Sequence, residues 1–414
     1  MGVFTSKSPE YEPVLSHEFL CDALTKWYGQ PAHYAHCFYL DDLSTSFTSE
    51  VVQWKVNTQF EENQHTYAEL MLKHHPRNKT RGLSFRSADF FKNEINFYEK
   101  LLTELLEFQN SKEISGKYDN HVKLCFTHCD GKNDMICLQD VRTEGFKINE
   151  IIDIEHGKLI LKTLARFHAL SFAFKTENPV KYKTITKEIT ETYYDERFWS
   201  WYKKLWSQIC VVAINAIENE YPNSIYVNKI REFAVPKRFK DLTKAVKQNN
   251  VILHGDCRSN NYLFKYINEI PVDVKMVDFQ QVRCASPVLD VSSVIYSNEA
   301  LLKDYEGLLK YYHGNLAIRI KELNGEPDVY TFDIFMEDVK KYSYFGLAFS
   351  FEAACTKLTY ADITNKVCDE WICADVNKYK IVDIADAYEI KNLEKEDRQN
   401  LANSIVHCID NDYI

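Results

Sequence analysis

The pattern of apolar and polar positions changes character along the chain. In the first third, the stretches 51–60 and 66–72 alternate polar and apolar residues, which predicts paired strands. The apolar residues of 90–108 instead repeat at the spacing of one helix face, and helical spacing dominates from residue 150 onward. The pattern therefore predicts a small mixed sheet interrupted by one helix, then a short joint, then a larger helical half.

The other predicted elements complete this outline. In the first part they are a helix over 15–28 and short strands over 34–40, 122–125 and 135–138. In the second part they are helices over 158–175, 195–217, 301–323, 331–357 and 385–414, with two short strands over 251–254 and 272–278. No repeat period stands out along the chain, so we expect an α+β architecture and not an array of repeats.

Composition narrows the class of protein. The 414 residues are 45% apolar and 27% charged, which is typical of a soluble globular protein large enough to bury its own core. A net charge of −10 argues against nucleic-acid binding, and the absence of any run of 18 apolar residues predicts no transmembrane segment. The 12 cysteines form no Cys-x-x-Cys pair and the start lacks an apolar leader, so we expect a cytoplasmic protein with reduced thiols.

The N-terminus adds one detail to that localisation. Met1-Gly-Val-Phe-Thr-Ser6 fits the pattern for N-myristoylation of Gly2, although a pattern this short also matches by chance. Lys7 is the only basic residue nearby, and a single acyl chain gives weak, reversible membrane binding. We therefore expect at most a weak membrane contact at Gly2.

The strongest chemical signal is a polar cluster that follows a buried-looking strand. His254-Gly-Asp256-Cys-Arg-Ser-Asn-Asn261 comes directly after the apolar residues 251–253, and a second strand ends in Asp278-Phe-Gln. This is the protein-kinase-like order H-x-D-x-x-x-x-N followed by D-F-x. Phosphoryl transfer needs such a set, because a carboxylate orients the attacking hydroxyl while an amide and a second carboxylate hold Mg²⁺. We therefore predict Asp256 as the base, with Asn261 and Asp278 as the Mg²⁺ ligands.

Each of these residues also has a purely structural interpretation. We place His254 with Asp256 in the catalytic set, but a hydrogen-bonded core histidine explains it equally well. Asp256 and Asn261 are of the residue types that form turns, and Asp278 could cap a turn. The ordered set in its strand context favours the phosphoryl-transfer site.

The first part of the chain should supply the groups that hold ATP. In a kinase-like fold a lysine on the third strand meets the α- and β-phosphates, and a helix glutamate holds that lysine. Lys73 ends an apolar strand and Glu94 lies in the next helix, although each alone is more often a surface charge. The strand that leads into the joint carries Leu138, Gln139 and Asp140, whose backbone is predicted to meet adenine.

At these residues the chain resembles the ecdysteroid kinase-like family of insects, which is choline-kinase-like and related to the aminoglycoside phosphotransferases. The resemblance spans residues 68–297, and it implies a two-lobed kinase fold and ATP-dependent phosphorylation of a small-molecule hydroxyl. The best-known substrates of that family are ecdysteroids, and xenobiotic detoxification is proposed for other members. The motifs that carry it are Leu138-Gln-Asp-Val141, Leu164-Ala-Arg-Phe-His168, His254 to Asn261, Asp273 to Gln280, and Ala285-Ser-Pro-Val-Leu-Asp290-Val.

With this resemblance, the predicted fold is a two-lobed α+β protein of the protein-kinase type. A small, β-rich N-terminal ATP-binding lobe occupies 1–138, and a hinge occupies 139–145. A larger, mainly helical lobe for catalysis and substrate binding occupies 146–414.

The sequence departs from the family pattern at three places. The family usually carries Gly-Glu-Asn-Tyr/Phe-Ala-Ser over the phosphates, and the matching place here, Pro31-Ala-His-Tyr-Ala-His36, has no glycine. After the catalytic aspartate the family usually has Leu-Trp, whereas this chain has Cys257-Arg258. In the hinge, Gln139 stands where the family has an acidic residue. Since glycine permits close approach of the backbone, these changes put the strength of ATP binding in doubt.

Three alternatives to a kinase of hydrophobic alcohols remain open. A protein kinase is disfavoured, because the eight residues between Asp278 and Pro287 are too few for an activation loop. A choline- or ethanolamine-type kinase would need an aromatic cage with carboxylates. A pseudokinase-like protein that only binds a ligand is the third. The aromatic residues of 199–206 suit an apolar substrate cavity, although most of them are more simply core.

Overall fold

The structure is a computed structural model that describes residues 15–46, 48–61, 64–76, 82, 85–244, 249–355 and 393–414. Gly2, the predicted myristoylation site, lies outside the described residues. The first part of the chain contains helix α1 (His17–Tyr28), strands β1 (Tyr34–Thr45), β2 (Glu50–Glu61) and β3 (Gln64–His74), helices α2 (Ser87–Asn96) and α3 (Leu102–Asn110), and strands β4 (Leu124–His128) and β5 (Met135–Gln139). A single π-helical turn, Phe97–Leu101, joins α2 to α3.

These strands form one antiparallel sheet in the order β1-β2-β3-β5-β4. Helix α1 covers one face of it because its buried residues, Cys21, Ala23 and Leu24, pack against apolar strand residues. The Ser16 hydroxyl caps the start of α1, and Gly29 ends it at a φ of +70°.

The register of this sheet decides which turn lies beside Lys73. Lys73 pairs with Val51 at the start of β2, so the turn 46–49 between β1 and β2 lies at the lysine end of the sheet. Tyr34, at the start of β1, pairs with Gln59 at the far end of β2. The prediction that 31–36 covers the phosphates is therefore wrong, since this segment lies at the opposite end of the strands.

The second part of the chain is mainly helical, as predicted. Its helices are α4 (Ile154–Glu177), α5 (Pro179–Thr186), α6 (Trp199–Glu220), α7 (Ile225–Phe233), α8 (Pro236–Leu242), α9 (Val288–Tyr296), α10 (Glu299–Leu302), α11 (Tyr305–Glu322), α12 (Phe332–Tyr342) and α13 (Lys395–Asp410), with a helical segment over 344–355 before α13. Its strands are β6 (Lys147–Ile148), β7 (Val251–Leu253), β8 (Tyr262–Ile267), β9 (Ile270–Met276) and β10 (Arg283–Ala285).

The two parts share one apolar core. Helix α4 is buried around most of its circumference, and Leu164 and Phe167 belong to the same buried cluster as Phe97 and Leu101 of the first part. A helix that is apolar all round is suited to the centre of a large domain. The fold is therefore a two-lobed α+β kinase-like fold whose lobes meet along the helices α2 and α3.

The structure differs from the predicted elements in detail. The helix predicted over 301–323 is interrupted at 303–304, and the one predicted over 331–357 is interrupted at Ser343. Strands β6, β8 and β10 were not predicted, since each is short or lacks alternation. Among the described residues, the structure contains no helix with the length and apolar character needed to cross a membrane.

Candidate active site

The Lys73 ammonium lies between two carboxylates from different parts of the chain. It is 2.5 Å from Glu94 Oε2 on α2 and 2.6 Å from Asp278 Oδ1, which follows β9. Burial by itself would lower the pKa of Lys73, but the charges of Asp278 and Glu94 outweigh it and raise that pKa. Lys73 therefore carries a permanent positive charge at a point where the two lobes meet.

The backbone around Asp278 is held in an uncommon conformation. Asp278 has a φ of +67°, and the next residue, Phe279, donates its N–H to Glu94 Oε1 at 3.1 Å. The Phe279 ring stacks on Phe97 at 3.9 Å between centroids. Glu94 thus holds both the lysine and the turn that presents Asp278, which fixes the Asp278 carboxylate relative to the sheet.

The start of the loop 254–261 is held by hydrogen bonds to the Asp290 carboxylate of α9. Its Oδ2 accepts the His254 N–H at 2.7 Å, and its Oδ1 accepts the Gly255 N–H at 3.0 Å. His168 of α4 contacts the same carboxylate at 3.2 Å and is itself bonded to Tyr312. A buried carboxylate with this many donors fixes the backbone just before Asp256.

His254 is placed differently from its predicted catalytic role. The ring is fully buried; its Nε2 donates to the Val277 carbonyl at 2.8 Å, and its Nδ1 accepts the Asp256 N–H at 3.3 Å. Both nitrogens are therefore engaged with backbone, which leaves neither to exchange a proton with a substrate. His254 is a positioning residue, in agreement with the core-histidine alternative.

The Asp256 carboxylate receives one donor on each oxygen. Arg258 Nε lies 2.9 Å from Oδ1, and the Gln281 amide donates to Oδ2 at 3.1 Å. Since both partners come from loops fixed by the core, the carboxylate has a defined position and remains an acceptor through its other lone pairs.

The predicted Mg²⁺ ligands fit a hard cation. Asn261 Nδ2 donates to the Asp256 carbonyl at 2.9 Å, which leaves Oδ1 as the amide atom available to a metal. The Asn261 carbonyl accepts the Val277 N–H at 3.1 Å, so Asn261 and Asp278 approach each other at the ends of neighbouring segments. Within the described residues there is no group of three or more His, Cys, Asp or Glu side chains that could hold a metal ion.

The segment predicted to meet adenine is tied into the sheet. Gln139 and Asp140 donate their N–H groups to the carbonyls of Lys123 and Glu69, so only carbonyl oxygens of this pair can meet a base. The Asp140 side chain is buried, caps the turn that follows it, and contacts Arg142 at 2.5 Å. Leu138 lies in β5 and is buried. Asp140 therefore shapes the joint and does not present its carboxylate to a nucleotide.

Several residues that shape the site were not predicted from the sequence. Gln280 contacts both Lys73 and Thr48 of the β1–β2 turn, and Gln281 holds Asp256. Asp290 was part of a quoted motif without a role. The sequence signal available for Asp290 was a charged residue within a mainly apolar helix. Neither Gln280 nor Gln281 had such a signal.

Gly255 is predicted to be intolerant of any side chain. Its φ is +84°, and a Cβ there would lie 1.9 Å from the Gln281 carbonyl oxygen. We expect Gly255→Ala to lower the free energy of unfolding by about 1–3 kcal/mol and to reduce activity, because Gln281 must move. Gly314→Ala on α11 is the control, since nothing lies within 4 Å of its Cβ position. Equal melting temperatures for Gly255→Ala and the unchanged protein would contradict this prediction.

Comparison with known proteins identifies the family to which the chain belongs. A sequence model of the ecdysteroid kinase-like family matches residues 44–325. No curated protein matches the chain.

Similar solved structures share little sequence with the chain. They include an aminoglycoside 2'-phosphotransferase-IIIa in complex with GDP (12% identity, TM-score 0.36, covering 95% of this chain and 99% of that one). The Plasmodium vivax ethanolamine kinase is 10% identical with a TM-score of 0.37, covering 90% of this chain and 83% of that one. A choline/ethanolamine kinase family protein from Mesorhizobium loti is 11% identical with a TM-score of 0.37, covering 89% and 92%.

Proposed function

Because the chain belongs to the ecdysteroid kinase-like family, we propose that it transfers the terminal phosphoryl group of ATP to a hydroxyl of a small, hydrophobic alcohol. The observation that carries this proposal is the position of the Lys73 ammonium, which is held by Glu94 on one side and by Asp278 on the other. A lysine fixed by a helix glutamate next to a metal-binding aspartate is the arrangement that phosphoryl transfer requires.

In this proposal Lys73 neutralises the phosphates, and the turn 46–49 covers them. The turn has no glycine but offers hydroxyl groups: Thr48 donates to Gln280 at 3.0 Å, and the Ser46 and Ser49 hydroxyls lie 2.9 Å apart. A hydroxyl has one proton to donate, so Thr48 would exchange its bond to Gln280 for one to a phosphate oxygen, where a glycine loop would use backbone N–H groups. The proposed adenine site lies at the joint 139–145, between an ATP-binding lobe (1–138) and a catalytic lobe (146–414).

Asp256 acts on the acceptor hydroxyl. The carboxylate accepts a hydrogen bond from the O–H, so an oxygen lone pair faces the phosphoryl group, and the hydroxyl proton passes to Asp256 as the new O–P bond forms and the bond to ADP breaks. Asn261 and Asp278 would hold Mg²⁺, which when bound neutralises charge on the phosphates. Most of the rate enhancement comes from positioning, since the chain itself makes no covalent bond to the phosphoryl group.

The proposed acceptor is an ecdysteroid or another steroid-like or xenobiotic alcohol, and the proposed setting is cytoplasmic detoxification. Aromatic rings near Asp256 support an apolar acceptor: the Arg258 guanidinium lies 5.4 Å from the Phe349 ring centroid, and Arg283 lies between Tyr194 and Phe345. Apolar walls with a few fixed polar groups are typical of sites for hydrophobic ligands.

A ligand-binding protein without turnover is the second candidate. The glycine-free turn 46–49 and the Arg258 contact to Asp256 favour it. Against it, a protein that only binds a ligand has no need to keep Lys73, Glu94 and Asp278 in mutual contact.

Nucleotide binding separates the two candidates. We expect ATP with Mg²⁺ to raise the melting temperature, because a ligand at a hundred times its Kd stabilises the native state by about 2.7 kcal/mol. Asp278→Asn should lose the Mg²⁺-dependent part of this shift, and the exposed Asp328→Asn should keep it. Turnover is then measured as ATP consumption across ecdysteroids, sterols, plant phenolic alcohols and choline-like amines. Absence of both stabilisation and turnover would favour the ligand-binding protein.

A further inference from the structure

Arg258 joins two carboxylates beside the proposed phosphoryl acceptor. Its Nε contacts Asp256 Oδ1 at 2.9 Å, and its Nη2 contacts Glu352 Oε1 at 2.8 Å. The Tyr193 hydroxyl donates to the same Glu352 oxygen at 2.9 Å, and Phe349 lies against the guanidinium. A single guanidinium group therefore separates Glu352 from Asp256, the carboxylate proposed to bind the substrate hydroxyl.

A second glutamate, Glu191, is also paired with an arginine. Arg283 is buried and contacts Glu191 at 3.2 Å, and it also donates to Gln281, which in turn donates to Asp256. Glu352 and Glu191, which these contacts link to Asp256, are therefore each paired with an arginine. Burial by itself would lower the pKa of Arg258, but the charges of Glu352 and Asp256 outweigh it and raise that pKa, so Arg258 stays charged.

We infer that Arg258 is a specificity-determining residue, which neutralises Glu352 and so makes the site select neutral alcohols over alcohols that carry an ammonium group. The inference rests on the proposed function, because it assumes that the hydroxyl of the acceptor alcohol binds at Asp256. A cationic acceptor would meet a fixed like charge at Arg258, which costs affinity in a site shielded from water.

Removal of that charge should create the opposite preference. With Arg258 replaced, Glu352 loses the guanidinium contact but keeps the Tyr193 hydroxyl, and the Phe349 ring borders the space that the guanidinium occupied. A carboxylate beside aromatic faces attracts quaternary ammonium groups by ion pairing and cation–π interaction. Arg258→Gln should therefore gain affinity for cationic alcohols.

Binding of a matched pair of probes tests this directly. Choline and its uncharged carbon isostere 3,3-dimethyl-1-butanol differ in one charge, so the ratio of their Kd values, measured by titration calorimetry with Mg²⁺ and a non-hydrolysable ATP analogue, reports the charge preference alone. We expect Arg258→Gln to shift this ratio toward choline by about tenfold. Arg231→Gln is the control, because Arg231 forms an exposed ion pair with Glu218 and should leave the ratio unchanged.

Two further variants guard against misfolding of Arg258→Gln. Glu352→Gln alone keeps Arg258 and removes the negative charge, so it should shift the ratio away from choline. The double variant Arg258→Gln, Glu352→Gln should lose the gain of the single one. An unchanged ratio in a folded Arg258→Gln, a gain that survives in the double variant, or an unchanged ratio in Glu352→Gln would each overturn the inference.

The same assay separates this inference from the proposed function. Turnover of neutral alcohols by the unchanged protein, together with an unshifted binding ratio in the variants, would overturn the role of Arg258 alone. Absence of turnover on every alcohol would count against the kinase. The binding ratio needs no turnover, so in that case it would still decide whether Arg258 sets the charge preference.

Discussion

Asp256→Asn is expected to reduce turnover by about 10²–10⁴-fold while ATP binding stays close to that of the unchanged protein. The substituted amide keeps the size of the side chain but cannot take the proton of the substrate hydroxyl. Lys73 pairs with Glu94 and Asp278, whereas Asp256 pairs with Arg258, so the nucleotide site should survive. The measurement is kcat with saturating ATP and alcohol, alongside the ATP-dependent shift in melting temperature.

A matched control for this variant lies on the same loop. Asn260 is exposed, and Asn260→Ala should retain most of the activity. If Asp256→Asn kept near-normal kcat at saturating substrate, Asp256 would not be the acceptor of the proton. Loss of the ATP-dependent shift together with activity would instead indicate that the substitution disturbs the loop as a whole.

Asp290→Ala is expected to destabilise the native state by about 3–5 kcal/mol. It would leave the N–H groups of His254 and Gly255, and the His168 ring, without the acceptor that they share inside the core. The free energy of unfolding is measured by denaturant titration. The control is Asp241→Asn, since Asp241 forms an exposed ion pair with Lys244 and should change stability by less than about 1 kcal/mol.

The pH dependence of this effect follows from the same contacts. Burial by itself would raise the pKa of Asp290, but the hydrogen bond and charge of His168 and the His254 N–H outweigh it and lower that pKa below 3.8. A carboxyl whose pKa is lowered by folding contributes stability above its unfolded pKa and loses it as the pH falls through the folded pKa. The difference between the unchanged protein and Asp290→Ala should therefore be constant near neutral pH and shrink below about pH 4. A difference that grows on acidification would contradict this assignment.

The order of the lobes and most of the elements could be predicted from the sequence because they depend on local patterns. Strands 51–60 and 66–72 alternate, and they appear as β2 and β3 with slightly longer bounds. The predicted helix boundaries were wrong where the apolar spacing of one helix continues into the next helix, as it does across the interruption at Ser343. Such a break depends on how neighbouring helices pack and leaves no local signature.

The site was predicted only in part, since motifs fix residue types but not their partners. The sequence placed Lys73 and Glu94 in neighbouring elements, but the Arg258–Glu352 contact joins residues that are 94 positions apart. The segment over the phosphates was wrongly predicted at 31–36, because the family motif that marks it depends on a glycine and this chain lacks that glycine. Only the register of β1 against β2 identifies 46–49 as the turn beside the lysine.

The core that α2 and α3 share with α4 has a consequence for how this protein can be divided. By chain position both helices belong to the proposed nucleotide-binding lobe, yet Phe97 and Leu101 of the π-helical turn between them and Leu105 of α3 are fully buried in the cluster that includes Leu164. A fragment that ended at residue 138 would expose these side chains to water. The first 138 residues are therefore not a transferable module, and gene fusions or chimeras between relatives should exchange the helix pair and α4 together.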